Sequence, residues 1–234
     1  MSTHLVKHQK MTKRQIKEDP LVTAAYHGLE VWEQHGRRIL IAVAVVALGG
    51  VFAFFIGRAR TQAEIKASDE LFRATLAVSQ GDYASAAPML QEIIDNGPGT
   101  RAARQAMLYL GDALAAQRKP AEAASWYQKF IDKSKSDRVL QQTGYMALGT
   151  ALEDAGQFAQ AADAYQGAVE RAQTDNDRGR AMLSEGRSRL RAGQSAKAAE
   201  VFRAILALPD AELAITEVAR ERLGELQATP GQAP

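Results

Sequence analysis

The sequence predicts an all-α chain: a single N-terminal transmembrane helix, an α-solenoid of about four helix hairpins, and a C-terminal capping helix. Three observations carry this. Residues 39–56 form one apolar run with no charge and no proline. The chain beyond it is dominated by Ala, Leu, Gln, Glu and Arg, with few β-branched runs, a composition that favours helices. Turn-forming clusters then recur at a near-constant interval, which marks a repeated helix–turn–helix unit.

The first 18 residues are polar and basic and are expected to form a disordered cytoplasmic tail. Asp19-Pro20 reads as a helix start, with Asp as N-cap and Pro in the first turn. Leu21, Ala25, Leu29 and Trp32 then share a face, with Val22 and Tyr26 beside it, and Gly36 can end the helix. Residues 19–36 are therefore expected to be an amphipathic juxtamembrane helix. Leu21, Tyr26, Leu29, Trp32, Arg37 and Arg38 would serve as its membrane-interface or partner-docking residues.

The apolar run is about 18 residues long, near the lower limit for crossing a bilayer as a helix. Arg37 and Arg38 close one end and Arg58 and Arg60 the other, giving a span over 37–58. The N-terminal arm has seven basic and four acidic residues, net +3, whereas the rest has 22 basic and 23 acidic, net −1. Positive flanks stay in the cytoplasm, so the arm is expected inside and the large domain across the membrane. A cleaved signal peptide has a shorter apolar core nearer the terminus and a small-residue cleavage site. This run starts late and ends in Phe54-Phe55-Ile56-Gly57-Arg58, which favours a retained anchor. The chain has no cysteine, which excludes disulfides and thiol chemistry and suits either compartment.

Residues 61–228 are expected to be one periplasmic domain, followed by a flexible tail over 229–234. Long breaks fall at Asn96-Gly97-Pro98-Gly99, Ser134-Lys135-Ser136-Asp137, Thr174-Asp175-Asn176-Asp177 and Pro209-Asp210. Short turns alternate with them at Gly81-Asp82-Tyr83, Arg118-Lys119-Pro120, Gly156-Gln157-Phe158 and Gly193-Gln194-Ser195. After each short turn comes a small residue (Ala86, Ala123, Ala161, Ala198) and, four later on the same face, a large one (Leu90, Tyr127, Tyr165, Phe202). Leu110-Gly111, Leu148-Gly149, Glu185-Gly186 and Leu223-Gly224 share a register in the preceding helices. A glycine there costs a helix about 1 kcal/mol, which points to a close helix contact. Thr61-Gln62-Ala63-Glu64 reads equally as a capping box opening the first repeat helix or as part of an unbroken helix leaving the span.

This pattern resembles the tetratricopeptide repeat (TPR): Leu-Gly in the first helix, a Gly-aromatic turn, then Ala and an aromatic in the second. The resemblance implies a right-handed solenoid, closed here by Ile215–Leu226 as its capping helix. It also implies that positions two, five, nine, twelve and thirteen of each first helix face a concave groove. Position five gives Leu71, Leu108, Met146 and Leu183. The fourth repeat adds Arg180, Arg187 and Arg191, and the third Glu153 and Asp154. Such a groove, with apolar anchors, one basic and one acidic end, would suit an extended or helical polypeptide. Alternatively, the leucines pack on neighbouring repeats and the arginines form a solvated face.

Little here points to catalysis. All four histidines (His4, His8, His27, His35) lie in the arm, and His4/His8 lack a nearby carboxylate to complete a metal site. There is no phosphate loop, nucleophile elbow or zinc-protease motif. Glu153 and Asp154, being adjacent on a helix, point about 100° apart and do not form an acid–base pair. The expectation is a non-enzymatic protein with no cofactor, metal or small-molecule substrate. The balanced charge beyond the span argues against nucleic-acid binding.

A short basic arm with Leu29–Gly36 (LEVWEQHG), one span and four degenerate repeats including GQFAQAADAY together resemble the YfgM family. That resemblance implies a bacterial inner-membrane protein, an ancillary subunit of the SecYEG translocon. Its partners would be translocon subunits, periplasmic chaperones or secreted polypeptides. A scaffold for envelope assembly or cell division, and a membrane regulator acting through its cytoplasmic arm, are the alternatives.

Overall fold

Thr100, Asp137 and Thr174 stand 37 residues apart, and each opens a helix by accepting a hydrogen bond from a backbone N–H of the first turn: Ala103 (3.0 Å), Leu140 (3.1 Å) and Asp177 (3.1 Å). The computed structural model describes residues 20–228, and side chains from residue 32 onward apart from Gln34. Within this range it has nine helices and no strand: α1 (Pro20–Ser79), α2 (Tyr83–Asn96), α3 (Arg101–Ala116), α4 (Pro120–Lys133), α5 (Arg138–Asp154), α6 (Phe158–Arg171), α7 (Asp175–Arg191), α8 (Ser195–Leu206) and α9 (Leu213–Ala228). The expected tails over 1–18 and 229–234, Asp19, His4 and His8 lie outside the described residues. The side chains of Leu21, Tyr26 and Leu29 lie outside the described side chains.

The structure divides into two units at Ala59–Arg60. In the first, the helix runs through Gly36, correcting the expectation that it ends there. A glycine that stops a helix leaves helical geometry, often for the left-handed region, whereas Gly36 keeps helical geometry within α1. The Trp32 indole lies over it, within 3.4 Å of where a Cβ would stand. The apolar run is exposed along its length, with Val46 74% and Leu48 70% accessible. Among the described residues this helix alone is long and apolar enough to cross a membrane.

In the second unit, residues 60–79 of α1 pair with α2, and α3/α4, α5/α6 and α7/α8 form the next three hairpins. The last helix, α9, packs on α7 and α8. No helix begins at Thr61, because α1 continues to Ser79. Glu64 caps a different helix: its carboxylate accepts from the N–H groups of Arg101 (2.8 Å) and Ala102 (3.2 Å) at the start of α3. Asp175 and Asn176 do the same one end further on, accepting from Asp210 N–H (3.2 Å) and Glu212 N–H (2.7 Å) just before α9.

The small and large positions of each second helix form the core. Ala86, Ala123, Ala161 and Ala198 are fully buried, and so nearly are Leu90, Tyr127, Tyr165 and Phe202. Gly111, Gly149 and Gly186 each lie against the ring sixteen residues later; a Cβ on any of them would stand 2.4–2.5 Å from a ring carbon. The glycine thus makes the space the ring fills. In the first hairpin Ala74, fully buried, holds that register before Leu90, a smaller side chain needing less room. Gly224 departs from the expected pattern: nothing among the described residues lies within 4 Å of its Cβ position.

All four short turns close alike. Gly81 (φ 78°), Arg118 (62°), Gly156 (75°) and Gly193 (73°) adopt left-handed geometry, and the next N–H reaches back into the preceding helix, as in Asp82 to Ala77 O and Gln194 to Arg189 O. Arg118 is the one non-glycine. In the fourth repeat the leucine register holds Glu185, buried and paired with Arg189 at 2.7 Å. Arg189 also donates to Gln166 and Gln194. Burial pushes the Glu185 carboxyl up, against the opposing pull of Arg189.

Candidate partner-binding groove

Consecutive first helices carry the expected groove positions, and a concavity that includes several of them lies at the C-terminal end. A cavity of about 410 Å³ opens between α7, α8 and α9. Leu183, Leu190, Phe202 and Val218 supply its apolar surface, and Arg187, Arg191 and Arg222 its cationic one. Positions five, nine, twelve and thirteen of α7 are all present in it. Three expected residues (Leu183, Arg187, Arg191) therefore come together here.

The others are placed differently. Arg180 pairs with Glu212 at 3.3 Å near the start of α9. Asp154 is exposed at the end of α5, and Met146 is half-buried. Leu108 packs partly against the core, and Leu71 is buried within it. The apolar stripe is therefore discontinuous, since the first repeat's position five is consumed by packing.

Glu153 corrects the expectation of separate acidic and basic ends. Its side chain is nearly buried and accepts from Arg187 Nη2 (3.0 Å) and Nε (3.4 Å), from Ser188 Oγ (2.5 Å) and from Tyr165 Oη (3.3 Å). First helices of successive repeats lie side by side, so position twelve of one meets position nine of the next. Burial alone would raise the Glu153 carboxyl, but the hydrogen bonds from Ser188 and Arg187, with the guanidinium charge, hold it below its ordinary range. The pair neutralises two residues assigned to opposite ends of the groove.

The remaining arginines are also held. Arg191 stacks on the Phe158 ring at 3.9 Å, and Arg222 pairs with Glu225 at 2.8 Å in a solvent-exposed bridge. Sequence reasoning missed Val218 and Arg222. Their four-residue spacing on the capping helix was the available signal, but a cap was expected to close the stack rather than line a groove. The arrangement can receive an apolar side chain among cationic rims; it presents no nucleophile–base pair.

A tetratricopeptide-repeat family model matches residues 73–138 and 146–212, together more than half of the 234-residue chain. None of the curated proteins matches it in sequence. Among solved structures, a tetratricopeptide repeat protein from Parabacteroides merdae is 15% identical, with a TM-score of 0.56, covering 69% of this chain and 60% of that one. MamA from Desulfovibrio magneticus RS-1 is 16% identical, with a TM-score of 0.52, covering 71% of this chain and 98% of that one. At these identities the likeness is one of fold. The repeat register, the glycine–ring contacts and the matched segments agree: the chain belongs to the tetratricopeptide-repeat family.

Proposed function

We propose that this protein is a membrane-tethered scaffold that captures polypeptide partners on the concave face of its repeats. The observation carrying this reading is the α7–α8–α9 cavity, where an apolar bed meets Arg187 and Arg191 at groove positions and Arg222 of the capping helix. The exposed apolar run supports the tether, with its N-terminus cytoplasmic and the repeats periplasmic by the charge of its flanks. Tethering raises the local concentration of the groove at the membrane, so weak contacts suffice. The arm, span and repeat layout supports an ancillary role at the Sec translocon, handing emerging chains or chaperones to the groove.

Photocrosslinking in native membranes tests it, with probes at Leu29 in the arm and Leu183 in the cavity. Crosslinks from Leu29 to translocon subunits and from Leu183 to secreted chains or chaperones are expected. Crosslinks confined to division or envelope-assembly proteins would remove the translocon role and leave a scaffold of another pathway.

A further inference from the structure

The loop joining α2 to α3 lies between two adjoining cavities that share Pro98, Gly99 and Thr100. The larger, about 540 Å³, is bordered by Arg60, Glu64 and Arg101; the smaller, about 160 Å³, by Arg104 and Lys133. Four cations thus surround one loop, against a single carboxylate. That carboxylate is already engaged, since Glu64 caps α3 through the N–H groups of Arg101 and Ala102. The Nε of Arg104 is buried without a hydrogen-bond partner. Gly99, at φ 90°, has nothing within 4 Å of its Cβ position, so the loop backbone is open to close approach.

Arg60 stands four residues beyond Ile56, the last residue of the apolar run. Along a helix that is about 6 Å, comparable to the depth of one headgroup layer. Connectivity alone therefore keeps Arg60, and the cavity it borders, within headgroup reach of any bilayer that holds the run. Cations held near anionic headgroups are attracted to that surface, and salt screens the attraction.

We propose that the edge formed by residues 96–101, with Arg60, Arg101, Arg104 and Lys133, docks on anionic phospholipid headgroups, their phosphates received in the two cavities. This rests on the membrane tether proposed above. The occupant is a lipid because the site is cationic and tied by four residues of chain to the span.

The chain lacks cysteine, so Asn96→Cys carries a single fluorophore on the loop and Leu48→Cys a control within the span. The full chain is placed in nanodiscs of phosphatidylcholine, with or without phosphatidylglycerol, doped with headgroup-linked quencher lipids. The loop label is expected to be quenched several-fold more with phosphatidylglycerol, and the gain to vanish in high salt and in Arg60→Glu/Arg101→Glu/Lys133→Glu. These three side chains are exposed, so the reversal leaves the fold intact, which circular dichroism checks. Equal quenching in both lipids, with the span label shielded from an aqueous quencher, overturns the docking alone and turns the basic edge toward an acidic protein partner. A span label open to the aqueous quencher overturns the tether and the docking together.

Discussion

Glu153 on α5 grips Arg187 on α7 through both nitrogens of one guanidinium edge, at 3.0 and 3.4 Å, while Ser188 and Tyr165 hold the same carboxylate. One side chain therefore ties three helices of two repeats and fixes one wall of the cavity. Because its carboxyl is held below the ordinary value of 4.5, its contribution is full above that pH and is lost as pH falls through the lowered value. Glu153→Gln should lose about 1–3 kcal/mol at neutral pH and show a shallower acid decline than the parent. Urea unfolding of both proteins between pH 7 and pH 3 measures this; parallel curves would dismiss the clamp.

Gly149→Val should destabilise the third repeat by more than about 3 kcal/mol, since the branched side chain must displace the Tyr165 ring. Gly224→Ala is the counterpart. With open space around it in a helix, the change should stabilise by about 0.5–1 kcal/mol. Thermal melting of the pair reads the register directly. Equal effects would mean that helix propensity, not ring packing, governs these glycines.

Arg118 holds the left-handed turn position that glycine holds in the other three repeats. Arg118→Gly should raise stability by about 0.5–1 kcal/mol by relieving the contact between Cβ and backbone. A drop in the denaturation midpoint would show that the arginine side chain contributes more than the strain costs.

Ser134 is fully buried at the end of α4 with its hydroxyl unpartnered. Ser134→Ala should therefore be neutral or stabilising by about 1 kcal/mol, the reverse of the usual penalty for altering a core residue. A clear loss in chemical denaturation would reveal a bond the hydroxyl makes through solvent.

Met146→Glu with Leu183→Glu should reduce partner crosslinking several-fold while preserving helix content by circular dichroism, as both side chains are only half-buried. Undiminished capture would move the binding site off the concave face.

Much of the fold is legible because repetition is a local signal. The 37-residue spacing of Thr100, Asp137 and Thr174, the Ala-plus-ring pairs and the glycines sixteen residues before the rings are all written in the chain. The candidate groove is less legible. Glu153 and Arg187 look like opposed charges in sequence, and only side-by-side first helices make them one ion pair. Glu64 looks like part of a capping box for its own helix, yet its carboxylate is 2.8 Å from the Arg101 N–H, 37 residues away.

The sequence by itself determined the helix content, the hairpin count, the apolar run and the register of close-packed glycines in the first helices, since these follow from periodicity and side-chain volume along a single element; that Gly111, Gly149 and Gly186 meet rings and Gly224 does not is a contact between helices. Tertiary structure decided what register cannot: that α1 passes Gly36 and Thr61 unbroken, that Leu71 belongs to the core, and that Val218 and Arg222 of α9 complete a cavity begun by α7. The physical reason is that local propensity sets which residues share a helix face. Which neighbouring helix that face meets, and hence which charges pair and which apolar side chains stay open, depends on packing between elements distant in the chain.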